Sequence, residues 1–218
     1  MDLTELELIR KLNFGNLSEQ ELLDVFYKNR GKYRILVNLI QQPRFPEKFS
    51  LNIISKLFPI DLINVIKNKR TNPFIRKKAE IEFTMKYKKF PLGEKLSFIR
   101  VAPNSLLNYF IKENDKGVLK AILTNKNCSE EVILKFINRR TQRFNFYEVL
   151  IFTDWYKRPS IAQAIIKDIE APIKLILKLI PFLTKSQLKK LYEQEHTHEI
   201  IKKNIEYYLK SKNQRNLT

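Results

Sequence analysis

The sequence predicts an all-α fold of stacked repeats, an α-solenoid, and three observations lead to it. Only 4 glycines occur in 218 residues, about a quarter of the usual share. Sheet proteins use Gly in tight primed turns, so the shortage favours helices joined by Pro, Asn and Asp corners. Apolar residues recur at helical spacing: Leu119, Ile122 and Leu123 form one stripe, and Val132, Ile133, Phe136 and Ile137 the next. Finally, the chain matches itself.

Shifted by 126 positions, about 45 residues align without a gap: Ile40 falls on Ile166, Pro46 on Pro172, Leu51 on Leu177, Leu62 on Leu188, Thr71 on Thr197, Lys77 on Lys203 and Glu80 on Glu206. A third copy, Val118 to Ile137, aligns with Ile35 to Ile54 and with Ile161 to Ile180. A degenerate fourth begins at Phe90-Pro91-Leu92. The shifts imply about four units of roughly 42 residues. Short helices with one apolar face cannot bury it alone, and stacking neighbouring units does so.

Local signals place the elements in order. Residues 1–34 read as an N-terminal helical cap, 35–212 as the repeat array and 213–218 as a disordered tail. Ser18 with Glu21, and Thr184 with Gln187, have capping-box spacing. Pro46, Pro91, Ser129 and Pro172 each mark a helix beginning, since Pro suits the first turn and Ser the N-cap.

The period resembles HEAT or armadillo units. The run Asp115-Lys116-Gly117-Val118-Leu119-Lys120-Ala121, followed by Asn125, Glu131 and Leu134, resembles the bacterial leucine-rich variant repeat. The resemblance covers roughly residues 35 to 210 and rests on packing positions. It implies a binding scaffold. Leucine-rich variant units are usually near half this length, and some carry an iron–sulfur cluster that a chain with one cysteine does not hold.

No catalytic centre stands out, and no cofactor is expected. The single Cys128 excludes an internal disulfide framework and a Cys-rich metal site. It precedes the Ser129 cap, where other copies have Phe45 and Ala171, which reads as a small packing residue. The two histidines, His196 and His198, fall in a corner equivalent to Arg70-Thr71-Asn72-Pro73. On a helix, side chains two apart face different ways and chelate poorly. Glycine loops for phosphate are absent. Asp154-Trp155-Tyr156-Lys157-Arg158 resembles the Trp, Tyr and Asp set of helical-repeat DNA glycosylases. The competing reading, a structural Trp155 at a helix junction, is the one expected. The acidic opening Met1-Asp2-Leu3-Thr4-Glu5 is no secretory leader, and no apolar run reaches the roughly 18 residues of a membrane span. A soluble cytoplasmic protein is therefore expected.

Charge points to a partner. The formal net charge is +18, from 41 basic and 23 acidic residues, which attracts polyanions. An AT-rich genome also enriches Lys, Ile, Asn and Phe, but does not account for so few acids. Between Lys67 and Arg100 eleven basic residues face only Glu80, Glu82 and Glu94. Lys77 and Lys203 share a repeat position, which predicts a basic stripe suited to phosphates. The candidate contacts are Lys69, Arg70, Arg76, Lys77, Lys78, Arg139, Arg140, Arg143, Lys202 and Lys203. In Arg139-Arg140-Thr141-Gln142-Arg143-Phe144-Asn145-Phe146-Tyr147, guanidinium and aromatic groups alternate, and the rings serve either as base-stacking platforms or as core. The expected function is a non-enzymatic nucleic-acid scaffold. An adaptor using the solenoid groove to hold a helix or an acidic protein partner is the alternative, and a glycosylase-type enzyme comes third.

Overall fold

The computed structural model describes residues 4–139 and 143–215, without the side chains of 143 and 213–215. Among them the chain is all-helical, with no strand. Two compact units divide at Leu106 and Leu107. The first carries α1 (Glu5–Phe14), α2 (Glu19–Lys28), α3 (Tyr33–Leu39), α4 (Glu47–Ile54), α5 (Pro59–Lys67), α6 (Pro73–Tyr87) and α7 (Leu92–Val101). The short α8 (Asn104–Leu107) spans the division. The second carries α9 (Lys116–Leu123), α10 (Glu130–Ile137), α11 (Arg143–Leu150), α12 (Pro159–Lys167), α13 (Ile173–Leu179), α14 (Lys185–Glu193) and α15 (Glu199–Arg215). Short 3-10 turns lie at Asn108–Lys112, Trp155–Lys157 and Ile180–Phe182. Among the described residues, no helix is long and apolar enough to cross a membrane. Helix α15 runs to Arg215, into the segment expected as a disordered tail; 216–218 lie outside the described residues.

The helix starts carry a shorter interval than the self-match does. They fall in pairs: Glu5 with Glu19, Tyr33 with Glu47, Pro59 with Pro73, Lys116 with Glu130, Pro159 with Ile173, and Lys185 with Glu199. The spacing inside every pair is identical. The next pair then follows at nearly constant distance wherever pairs adjoin, as Glu5, Tyr33 and Pro59 do, and Pro159 and Lys185. The sequence match between the third and last copies spans one pair plus α11 and the 3-10 turn at Trp155, so it steps over a differently built segment.

Local chemistry sets these boundaries. Capping boxes form at Ser18–Glu21 and Thr184–Gln187, as their spacing predicts, and a third forms at Thr4–Glu7. Pro46, Pro91 and Pro172 stand at the N-cap, one position before the first turn, where extended backbone suits their fixed φ. Ser129 is an N-cap too.

Within five of the six pairs, all but α1 with α2, the corner is the same turn repeated. The N–H groups of Phe45, Thr71, Cys128, Ala171 and Thr197 donate to the carbonyls of Gln42, Asn68, Asn125, Asp168 and Gln194, at 2.9 to 3.1 Å. Where the first residue is Asn or Asp, its side chain accepts a second bond: Asn68 from the Arg70 N–H at 2.9 Å, Asn125 from Asn127 at 2.6 Å, and Asp168 from Glu170 at 3.0 Å. The fourth residue plugs the corner: Phe45, Thr71, Ala171 and Thr197 are buried and Cys128 half-buried.

Each unit has its own core. In the first, α1 packs on α3, α4 on α6 and α5 on α7. Tyr33 ties α3 to α5, donating to Asp61 at 2.6 Å and accepting from the Phe58 N–H at 2.8 Å. Burial and that carboxylate push its hydroxyl up to about 12. In the second, α9 packs on α11, α10 on α12 and α13 on α15. Phe136 and Phe146 stack at 4.9 Å with 4° between their planes, both fully buried.

Candidate nucleic-acid interface

Five of the sequence-derived contacts gather in the first unit, on the corner before α6 and its first turns. Lys69, Arg70, Lys77 and Lys78 are exposed and Arg76 is half-buried. Two have structural partners. Arg70 donates to the Asn13 carbonyl near the end of α1 at 2.8 Å, and Lys77 pairs with the buried Glu80 at 2.9 Å. Lys78 sits over the Phe74 ring at 5.2 Å.

Beyond these, the two carboxylates of α6 itself are paired with its own lysines. Glu80 is held by Lys77 and Glu82 by Lys86, the latter at 3.5 Å. Lys86 also donates to the Ser55 and Leu57 carbonyls, at 2.9 and 3.0 Å, so it braces the end of α4. No ion pair engages Lys67, Lys69, Lys78, Lys88 or Lys89 among the described residues. These five exposed ammonium groups lie at both ends and on the open side of α6, a helix about 22 Å long. Phe74, Ile81 and Met85 are exposed on the same helix.

The second unit treats its candidates differently. Arg139 donates through Nη1 to the Ile111 and Glu113 carbonyls at 2.8 and 2.9 Å, and its guanidinium lies 5.3 Å from the Phe136 ring. It is half-buried and fastens the 3-10 turn at Asn108–Lys112. Arg140 lies outside the described residues, as does the Arg143 side chain. Lys202 is half-buried and pairs with Glu199 at 3.8 Å, while Lys203 is exposed.

The aromatic run divides. Phe146 and Tyr147 are core, and Tyr147 donates to Asp168. Phe144 is 66% exposed. Beside it lies a groove missed at the sequence level: cavities of about 420 Å³ between α9 and α11, and about 280 Å³ between α11 and α13. The three helices that form it are far apart in the chain, with α10 and α12 falling between them, so no contiguous motif announces it.

Several of the remaining chemistry-bearing side chains have partners within the fold. The His198 ring accepts the Ile200 N–H at 3.2 Å and caps α15, and His196 is exposed in the corner turn. Burial pushes the Cys128 thiol up to about 11. The Trp155 indole N–H donates to the Leu123 carbonyl at 2.8 Å, with Arg158 over its ring at 4.4 Å. Asp154 pairs with Lys157 at 2.5 Å. No protein-family model, curated protein or solved structure matches the chain.

Proposed function

We propose that the protein is a non-enzymatic scaffold of HEAT-like or leucine-rich-variant-like helical pairs, stacked as a solenoid. It binds nucleic acid without strong sequence preference. The constant interval between paired helix starts and the shared corner turn support the repeat reading. One observation carries the binding reading: along α6 the acids are neutralised by their own lysines, while Lys67, Lys69, Lys78, Lys88 and Lys89 are exposed and make no ion pair among the described residues. Such ammonium groups gain by releasing the counterions condensed on phosphates, without reading base sequence.

Fluorescence anisotropy against mixed-sequence oligonucleotides at low salt tests this. Replacing Lys69, Lys78, Lys88 and Lys89 with Ala spares the bracing Arg70 and Lys86 and the Lys77–Glu80 pair. The expected result is weaker binding on every sequence, and a slope of log K against log salt flatter by about one per lost phosphate contact. An unchanged slope would overturn this face as the contact, and no binding at low salt would overturn the function.

The second reading, an adaptor for an acidic protein partner, draws on Phe74, Ile81 and Met85. They lie along α6 at intervals of seven and four, so an amphipathic helix meets an apolar stripe edged by lysine. It takes precedence if oligonucleotides fail to bind.

A further inference from the structure

The groove in the second unit is built unlike the α6 face. Its floor is α11 and the turn that follows it, from which Phe144 and Phe152 project, 66% and 82% exposed. Glu148 stands between them, and Phe146, Tyr147 and Leu150 turn to the core. At helical rise the two ring positions are separated by about 12 Å. On one side α9 presents Lys116 and Lys120; on the other α13 presents Lys174 and Lys178, all exposed. Lys116 neutralises Glu148 at 2.6 Å, which removes the one negative charge from the floor. Lys178 lies 5.7 Å from the centre of the Phe152 ring and reaches the Ile151 carbonyl at 3.4 Å. Lys120 and Lys174 carry no ion pair among the described residues.

We propose that this groove is a binding site for single-stranded nucleic acid, with Phe144 and Phe152 as stacking platforms for unpaired bases and Lys120 and Lys174 as phosphate contacts on either wall. This rests on the reading of the protein as a nucleic-acid scaffold and assigns it a preferred strand state. A large ring left in water loses its burial gain, and two such rings in line between ammonium groups match a ligand that alternates flat apolar faces with negative charge. Duplex bases are closed to such rings by pairing and stacking, whereas a single strand turns its faces outward. An acidic peptide would meet the lysines equally well but needs no planar surface.

The test is anisotropy of the full chain with a labelled 12-mer of oligothymidine and with a mixed-sequence duplex of the same length. The variants are F144L/F152L, which keeps apolar bulk and removes the flat faces, and K120A/K174A. Both rings are exposed, so folding is checked simply by an unchanged circular dichroism melt. The expected result is a loss of about tenfold or more in oligothymidine affinity for F144L/F152L, with duplex affinity changed less than twofold. K120A/K174A should weaken the single strand and flatten its salt dependence. Equal binding of both probes, with neither moved by F144L/F152L, overturns the groove while leaving the scaffold reading intact. Failure of the wild-type chain to bind either probe at low salt overturns both. Displacement of oligothymidine by oligoglutamate equally from wild type and F144L/F152L shows a purely ionic surface and overturns the stacking role.

Discussion

Arg139 shows how one side chain can change meaning once its neighbours are known. In sequence it is the first of three arginines beside a cluster of rings. In the fold its guanidinium donates to the Ile111 and Glu113 carbonyls at the end of a 3-10 turn and lies against Phe136. Arg139→Ala is therefore expected to cost about 2 kcal/mol of stability, the scale of charged hydrogen bonds lost from a half-buried site. Oligonucleotide affinity should stay within twofold; thermal melting and anisotropy on the same sample separate the two. The same accounting reassigns Arg70 and Lys86, each of which donates to a carbonyl of another helix. Local sequence counts cations, but which of them are spent on carbonyls depends on partners far along the chain, as Asn13 is from Arg70.

At the scale of the element, helix beginnings were legible because capping chemistry is contained in four consecutive positions. Ser18–Glu21 and Thr184–Gln187 formed as their spacing predicts. Thr184→Ala should lower stability by about 1 kcal/mol, read from denaturant melts. The two boxes differ in acid. Hydrogen bonds from the backbone and side chain of Ser18 hold the Glu21 carboxyl below its ordinary value. A depressed folded-state value contributes stability above the unfolded carboxylate range, and that stability is lost as pH falls through the folded value. The Gln187 amide does not titrate in this range. Hydrogen exchange in acid, below the depressed Glu21 value, should therefore show α2 fraying at its start while α14 stays protected, and equal protection would contradict this. The pair interval was less legible. Side-chain matching finds only well-preserved copies, and the corners it would have to match begin variously with Gln42, Asn68, Asn125, Asp168 and Gln194. For α11 the inward set Phe146, Tyr147 and Leu150 and the outward set Phe144, Glu148 and Phe152 follow from helical periodicity only once the register is fixed.

For the whole molecule, the net charge of +18 acts as a reservoir of attraction that depends on ionic strength. A ligand that binds only the folded chain stabilises it by mass action, by about 2.7 kcal/mol at a hundredfold excess over Kd. Adding oligothymidine at low salt should raise the melting temperature by several degrees, and the rise should vanish at about 0.5 M salt, where the Debye length is short. A melting temperature indifferent to the oligonucleotide at low salt would speak against a polyanion ligand. The all-helical character of the described residues was readable from glycine shortage and spacing. The groove was not, because it joins α9, α11 and α13, and an interface of three helices exists only after they pack.

The corner turn leads somewhere else again. Its hydrogen bonds are local, running from one residue to the third after it, and its plug is filled by residues as different as Phe45, Thr71, Cys128 and Ala171. The backbone bonds of this joint stay inside it, while its side chains reach other pairs: Asn68 donates to Gln41 at 3.0 Å and Arg70 to the Asn13 carbonyl at 2.8 Å. The joint thus has two separable parts, a turn that folds on its own bonds and a fastening that needs a neighbour of the right sequence.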